Sequence, residues 1–373
     1  MAIHIESLKI GHFRGIHHLS VENLNHINII AGDNNSGKTS VLEALLLLRN
    51  PNDFTNILRL ARMRDVNVFF SGTSVYESFI NLFPQDTLKM EITLDAICKG
   101  EHVAYRLLGE QKKIMMDPED VIKNLYPAKR NRMMRDMDSE LVEVDAFSGE
   151  LIYKIAGDED RLDIKIDAYA ITSGREIKRN NYINITYLSP TDHVRGYVFS
   201  RVLRNDAYKE ICLHILQLFD PAIVDLLILK NEDNNHSTEY IKHATLGNMP
   251  LSTYGDGIKK VLSLANAIAQ AAGGVLLIDE VETAIHSKYY DDIFRFLVKA
   301  SLQFDVQVFI TTHSIEAIDG LLSTQDYEQQ NQKDDISVLT FKKDSSEPRT
   351  YSRVLTGRHV YANREQFDFE VRL

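Results

Sequence analysis

Apolar residues recur along this chain with two different periods. Residues 3–10 and 12–21 alternate apolar with polar positions: Ile3, Ile5, Leu8 and Ile10, then Phe13, Ile16, Leu19 and Val21. Successive side chains of a strand point to opposite faces, so this pattern predicts two half-buried strands, an antiparallel layer beside a parallel core. Ile27-Asn28-Ile29-Ile30-Ala31 is instead an almost unbroken apolar run, as expected of a strand covered on both faces. Val41 to Leu48 reads as a helix buried on most of its faces. The pattern changes after Asn50-Pro51-Asn52. Residues 53–64 and 74–84 read as helical, whereas 87–97, 103–108, 151–155 and 162–168 alternate. These predict a β-rich insert of four to six strands with a helical, basic piece in its middle. Tyr182 to Leu188 predicts a core strand ended by Ser189-Pro190, residues 196–218 an amphipathic helix, and residues 231–236 a polar turn or linker. Gly274 to Ile278 and Gln307 to Thr311 are again apolar runs, and a helical pattern through Val261, Leu262, Leu264, Ala265 and Ile268 precedes the first. Two more strands follow, Ile336 to Phe341 and Tyr351 to Leu355. The fold class expected is α/β: a mostly parallel core sheet with an antiparallel β layer. The chain divides into residues 1–50, an insert over 51–180, and residues 181–373.

The candidate chemistry lies at the ends of the apolar runs. After the Ile27–Ala31 run comes Gly32-Asp33-Asn34-Asn35-Ser36-Gly37-Lys38-Thr39-Ser40, a full G-x-x-x-x-G-K-T phosphate-binding loop. Strand, glycine loop and helix in this order aim backbone N–H groups and a helix N-terminus at phosphates. Gly32 and Gly37 allow the tight path, and Asn34, Asn35, Ser36 and Ser40 complete the cradle. Lys38 is expected to reach the β- and γ-phosphates of ATP, and the Thr39 hydroxyl to hold Mg²⁺. The run at 274–278 ends in Asp279-Glu280, expected to hold Mg²⁺ and to activate the attacking water, respectively. The run at 307–311 ends in Thr312-His313-Ser314, with His313 expected to donate to the γ-phosphate and the attacking water. Leu251-Ser252-Thr253-Tyr254-Gly255-Asp256-Gly257 opens the helix before the acidic strand, a second anion-binding N-terminus. If it lies across the sheet from the loop, Ser252, Gly255 and Gly257 reach the nucleotide of a second copy of the chain.

Composition narrows the class. The 373 residues suffice for two or three cores, and 44% hydrophobic with 25% charged residues is ordinary for a soluble globular protein. A formal net charge of −11 argues against a general nucleic-acid binder. Lys129-Arg130-Asn131-Arg132-Met133-Met134-Arg135 could touch a phosphate backbone, but Asp136, Asp138 and Glu140 follow at once and favour a solvated helix face. The acids of Asp160 to Asp167 beside Lys165 evoke a metal nuclease, yet simple alternation explains them as one polar face of a strand. Arg14 falls in Phe13-Arg14-Gly15-Ile16, close in sequence to the loop; a nucleotide or DNA contact competes there with solvated surface. Two cysteines, Cys98 and Cys212, form no disulfide framework or zinc pattern. The N-terminus lacks a signal-peptide pattern and no apolar run spans a bilayer, so a cytoplasmic location is expected, with no membrane partner.

Taken in order, nucleotide loop, Ser/Gly signature, Asp-Glu strand and strand-end histidine resemble an ABC-type ATPase. More narrowly, Phe13-Arg14-Gly15-Ile16 with residues 27–44 resembles the N-terminus of the SMC/RecF/OLD branch. Tyr254 to Lys260 and Asp279-Glu280-Val281-Glu282-Thr283-Ala284-Ile285-His286 look most like stand-alone OLD-type ATPases. The matches cover about the first fifty residues and 250–322. The resemblance implies a head-to-head homodimer that sandwiches two ATP with Mg²⁺, with Glu280 as base and His313 as switch. It also implies a separately encoded effector, such as a nuclease or toxin of anti-phage defence; a RecF-like DNA clamp and a nucleotide-sensing scaffold with little turnover are the alternatives. Three departures stand out. Tyr254 occupies the usual signature-serine position, with Ser252 two residues earlier. Gln85 is the one candidate for a glutamine loop. By ordinary domain sizes no Toprim nuclease is expected after His313, and the insert does not show the heptads of SMC arms.

Overall fold

The computed structural model describes residues 3–64, 74–87, 89–117, 141–167, 171–173, 181–194, 199, 202–230, 237–328, 334–343, 349–367 and 371. The basic Lys129–Arg135 piece and the polar 231–236 segment lie outside them.

Three sheets organise the described residues. The central one has six strands in the order β16-β15-β3-β14-β13-β9. They are β3 (Ile27–Ala31), β9 (Ile185–Leu188), β13 (Val275–Ile278), β14 (Gln307–Thr311), β15 (Ile336–Lys343) and β16 (Thr350–Thr356). All neighbours are parallel except the β15–β16 hairpin. β3, β13 and β14 are buried at every position, which is why their sequences read as apolar runs rather than alternations. Their side chains divide strictly between two cores. Ile30, Leu277 and Phe309 face one; Ile29, Leu276, Ile278, Val308 and Ile310 face the other.

The first core lies between the central sheet and a seven-stranded sheet, β2-β1-β4-β5-β6-β7-β8. Here β1 (Ile5–Phe13) and β2 (Ile16–Val21) form a hairpin. The chain continues this sheet antiparallel with β4 (Met90–Cys98), β5 (Glu101–Met116), β6 (Val142–Ile155), β7 (Asp158–Asp167) and β8 (Ile171–Ser173). Helix α1 (Lys38–Leu47) is sandwiched between the two sheets, which accounts for the burial of eight of its ten residues, Lys38 and Glu43 included. Helices α2 (Phe54–Ala61) and α3 (Val75–Ile80) follow it. One amide ties the start of β14 to the start of β1, and β2 meets β16 through His17 N donating to Thr350 Oγ1 at 3.3 Å. Fully buried Gln307 accepts from Ile5 N at 2.7 Å and donates to Ile5 O at 2.8 Å and Asn25 O at 2.9 Å.

The second core is helical. It lies under α4 (Asp206–Phe219), α5 (Asp256–Ala271), α6 (Tyr290–Gln303) and α7 (Ile315–Leu322). A small antiparallel sheet of β10 (Ile223–Lys230), β11 (Ser237–His243) and β12 (Gly247–Pro250) leads into α5, and α8 (Gly357–Phe367) ends the elements.

Two predicted boundaries move. Residues 12–21 are not one strand: the chain reverses at Arg14-Gly15, with Arg14 in the left-handed region at φ 50°. The 196–218 helix begins only at Asp206, because Asn205 caps it by accepting from Ala207 N at 2.9 Å. A 3₁₀ turn at Val202–Arg204 precedes the cap.

Candidate active site

The ends of β3, β13 and β14 meet where each apolar run gives way to polar residues. A cleft of about 350 Å³ opens there, lined by Asn34, Asn35, Gly37, Lys38, Thr39 and Ser40 of the loop, with Arg64, Asp279, Glu280, Thr311 and His313. Parallel strands collect their C-terminal ends at one edge, so residues far apart in sequence converge on it.

The loop takes its path through Gly32 at φ 141° and Gly37 at φ 103°, conformations that a side chain disfavours. Lys38 is buried and folds over the loop, donating to the carbonyls of Gly32 and Asp33, each at 2.7 Å. Burial pushes its pKa down, opposed by the charges of Asp33, Asp279, Glu280 and Glu282. Ser36 is buried beneath the loop, with its Oγ 3.2 Å from where a Cβ on Gly32 would stand.

Asp279 is the hub. Its Oδ1 accepts from Thr39 Oγ1 at 3.1 Å and from Thr311 Oγ1 at 2.6 Å, and its Oδ2 accepts from Tyr187 OH at 3.0 Å. Burial and then the Asp279 charge raise the Tyr187 pKa far above its ordinary value, so the phenol remains a donor. Glu280 follows in the left-handed region, φ 49°, held by its N–H donating to Thr311 Oγ1 at 2.8 Å. This backbone twist turns the Glu280 carboxylate into the cleft, 3.2 Å from His313 Nε2. Both side chains remain about 40% exposed, open to water. Glu282 fixes the histidine backbone by accepting from His313 N at 2.7 Å.

A further carboxylate shapes the wall. Glu43 of α1, fully buried, grips Arg64 through both oxygens at 2.7 Å and Arg14 at 2.6 Å. Arg64 also reaches Ser40 Oγ at 3.2 Å. Sequence reading passed over Tyr187, Thr311, Glu43, Glu282 and Arg64. Thr311 and Tyr187 were visible as polar residues within or near core strands; Arg64 carried no signal.

The expected second anion site stays apart from this cleft. Ser252 lies in the 3₁₀ turn Leu251–Thr253 and is exposed, as is Gly255, the N-cap of α5. A Cβ on Gly255 would meet nothing within 4 Å, whereas one on Gly257 would lie 3.4 Å from Ala284 O. Gln85 also misses the cleft: it caps the turn after α3 by donating to Ile80 O and Phe83 O at 3.2 and 2.9 Å. The strand beside the acidic one is β9, and the residue it contributes is Tyr187. Asp160 of β7 accepts from Tyr153 OH at 3.0 Å on the face of the seven-stranded sheet.

A triphosphate cradle facing an acid pair across parallel strands is what an NTPase needs, and comparison with known proteins agrees. The family model described as "AAA domain, putative AbiEii toxin, Type IV TA system" matches residues 27–319. The chain belongs to that family. The AAA-domain chain is also similar to an "ATP/GTP phosphatase" of Helicobacter pylori (strain ATCC 700392 / 26695), 24% identical over 93% of this chain and 95% of that one. A short stretch of 44 residues, 12% of each chain, is 52% identical to "DNA replication and repair protein RecF" of Idiomarina loihiensis. In fold it matches the Smc head domain. One Smc head, solved bound to the C-winged helix domain of ScpA, aligns with TM-score 0.51 and 14% identity over 95% of this chain and 98% of that one. Another, with an extended coiled coil and bound to the C-terminal domain of ScpA derived from Pyrococcus furiosus, aligns with TM-score 0.52 and 12% identity over 98% and 100%. The mixed α/β fold is thus that of the Smc head domains, and the family match makes the chain an AAA-domain protein.

Proposed function

We propose that the protein hydrolyses ATP to ADP and phosphate as a head-to-head homodimer and uses that cycle to control a separate protein. One observation carries the reading. In the same cleft, Thr39 and Asp279 lie at hydrogen-bond distance while Glu280 and His313 sit 3.2 Å apart beside them.

Lys38 leaves the loop carbonyls for the β- and γ-phosphate oxygens, and Asn34 to Ser40 offer backbone N–H groups and hydroxyls to the rest. A hydroxyl and a carboxylate are hard oxygen donors, and a Mg²⁺ site needs only one or two such protein ligands beside the phosphates, so Thr39 and Asp279 fit the ion. Bound there, the ion would neutralise charge on the phosphates. Glu280 accepts a proton from the attacking water, and His313 orients that water and the γ-phosphate. Ser252, Gly255 and Gly257 complete the pocket from the second copy. The N-terminus of α5 has no side-chain cap and is open to solvent, so its N–H groups are free for an incoming phosphate.

Phosphate release tests the enzyme claim. Wild type is expected to turn over ATP with Mg²⁺, while Lys38→Ala and Glu280→Gln fall by about a hundredfold or more. Equal rates in wild type and Lys38→Ala would end it.

The finer placement in the OLD-like branch rests on Tyr254–Lys260 and Asp279–His286, and the working division is head residues 1–50 and 181–373 around the 51–180 insert. The family's description names a toxin–antitoxin system, which favours an effector protein such as a nuclease or toxin, read by a partner-facing insert. The local likeness to RecF favours, as a second reading, an ATP-dependent DNA clamp. Salt-sensitive duplex binding by the Glu280→Gln form with ATP would select the clamp; none would remove it.

A further inference from the structure

Lys260 is out of place energetically. It sits one turn into α5 with no solvent exposure, and among the described residues its Nζ makes no hydrogen bond. Burial pulls its pKa down to about 8, opposed by the charges of Asp192, Glu282, Asp279 and Glu280. These carboxylates come from two places: the turn after β9 and the tip of the acidic strand. His193, next to Asp192, is likewise held below its ordinary pKa by burial and by the Lys260 charge. Within the tip, Glu282 uses Oε1 to hold His313 N, while its Oε2 is buried with no partner among the described residues. The same face of the helix approaches this loop at Gly257, three residues earlier, where a Cβ would stand 3.4 Å from the Ala284 carbonyl oxygen.

A buried ammonium without a hydrogen bond costs stability, and replacement by an apolar side chain of similar length is commonly neutral or stabilising. Packing alone therefore gives no reason for a lysine here. The surrounding carboxylates do. At low local dielectric, opposite charges act on one another more strongly than at the surface, even without a direct ion pair. Without Lys260, Glu282 and the Asp279-Glu280 pair would repel one another on the inner side of the tip.

We propose that Lys260 is a positioning residue for hydrolysis: its buried ammonium is the internal countercharge of Glu282 and the Asp279-Glu280 tip. It holds the 280–285 loop against the start of α5 and, through Glu282, sets the His313 backbone beside Glu280. This rests on the ATPase reading above. It also joins each chain's own acidic tip to the helix start that serves the other chain's nucleotide.

The test measures phosphate release, melting temperature and backbone hydrogen exchange on wild type, Lys260→Met, Glu282→Gln and the double variant. Lys260→Met is expected to melt at or above wild type and to lose about tenfold in kcat with KM within about twofold, because it contacts no nucleotide group. Exchange should quicken in residues 280–285 and 313–314 alone. The double variant should be no slower than the slower single one, since both remove one interaction. Unchanged kcat and exchange in Lys260→Met would overturn the proposal. So would a lowered melting temperature, failure to fold, or losses that add to those of Glu282→Gln, each the mark of a merely structural role. If wild type proved no faster than Lys38→Ala, the ATPase reading would fall, and exchange in 280–285 would still decide whether Lys260 holds the loop.

Discussion

Asp279 accepts hydrogen bonds from three hydroxyls on three different elements, those of Thr39, Thr311 and Tyr187. Such convergence fixes the carboxylate's rotamer before any ligand arrives, and a metal-binding carboxylate held this way binds more tightly than a mobile one. Tyr187→Phe removes one donor and leaves the ring in place. It should raise the Mg²⁺ concentration for half-maximal phosphate release by about tenfold, with maximal turnover little changed. A Mg²⁺ titration identical to wild type would show that the phenol is incidental. Residues of this kind explain what the sequence yielded at this scale. Lys38, Thr39 and the Asp279-Glu280 pair stand in recognisable spacings because loop and strand end are local structures. Tyr187 lies in a strand whose neighbour is about ninety residues away, so its role depends on sheet order, which spacing does not encode. The two arginines on Glu43 are equally opaque, since that carboxylate sits in a helix whose pattern is simply apolar.

Among the elements, the central strands show why burial was easy to read and topology was not. β3, β13 and β14 are apolar at nearly every position because cores lie on both sides, and that run is visible in the letters. The seven-stranded sheet, alternating along much of its length, was visible in the same way; its joining of β1 and β2 to the insert's strands was not. Gln307 is one of three polar exceptions, with Asn28 and Thr311. It pairs with both backbone groups of Ile5 and with Asn25 O, so one side chain satisfies the edge where the sheets meet. Gln307→Leu keeps the volume but leaves these groups buried without partners. The expected loss is about 2 kcal/mol or more of unfolding free energy, by urea denaturation, since each orphaned buried group costs about 1–3 kcal/mol. A change below about 0.5 kcal/mol, the scatter of ordinary surface substitutions, would mean that solvent satisfies the edge.

Across the molecule, the cleft and the start of α5 are separate features of one chain. The cleft has phosphate donors, an acid pair and a histidine, all from one edge of the central sheet. The uncapped start of α5, with exposed Ser252 and Gly255, lies outside it. In the proposed dimer a second copy turned head to head joins the two, with ATP between them. The sequence order of motifs suggests this arrangement, but an apposition of two chains leaves no trace in the hydrophobic pattern of one. The most direct measurement is the solution mass of Glu280→Gln, by light scattering, with and without Mg²⁺ and ATP. The account predicts the mass of two chains with nucleotide and of one without it, and a return to one when Gly255 is also replaced by Trp. A mass that ATP does not change, or a dimer indifferent to Gly255→Trp, would contradict it.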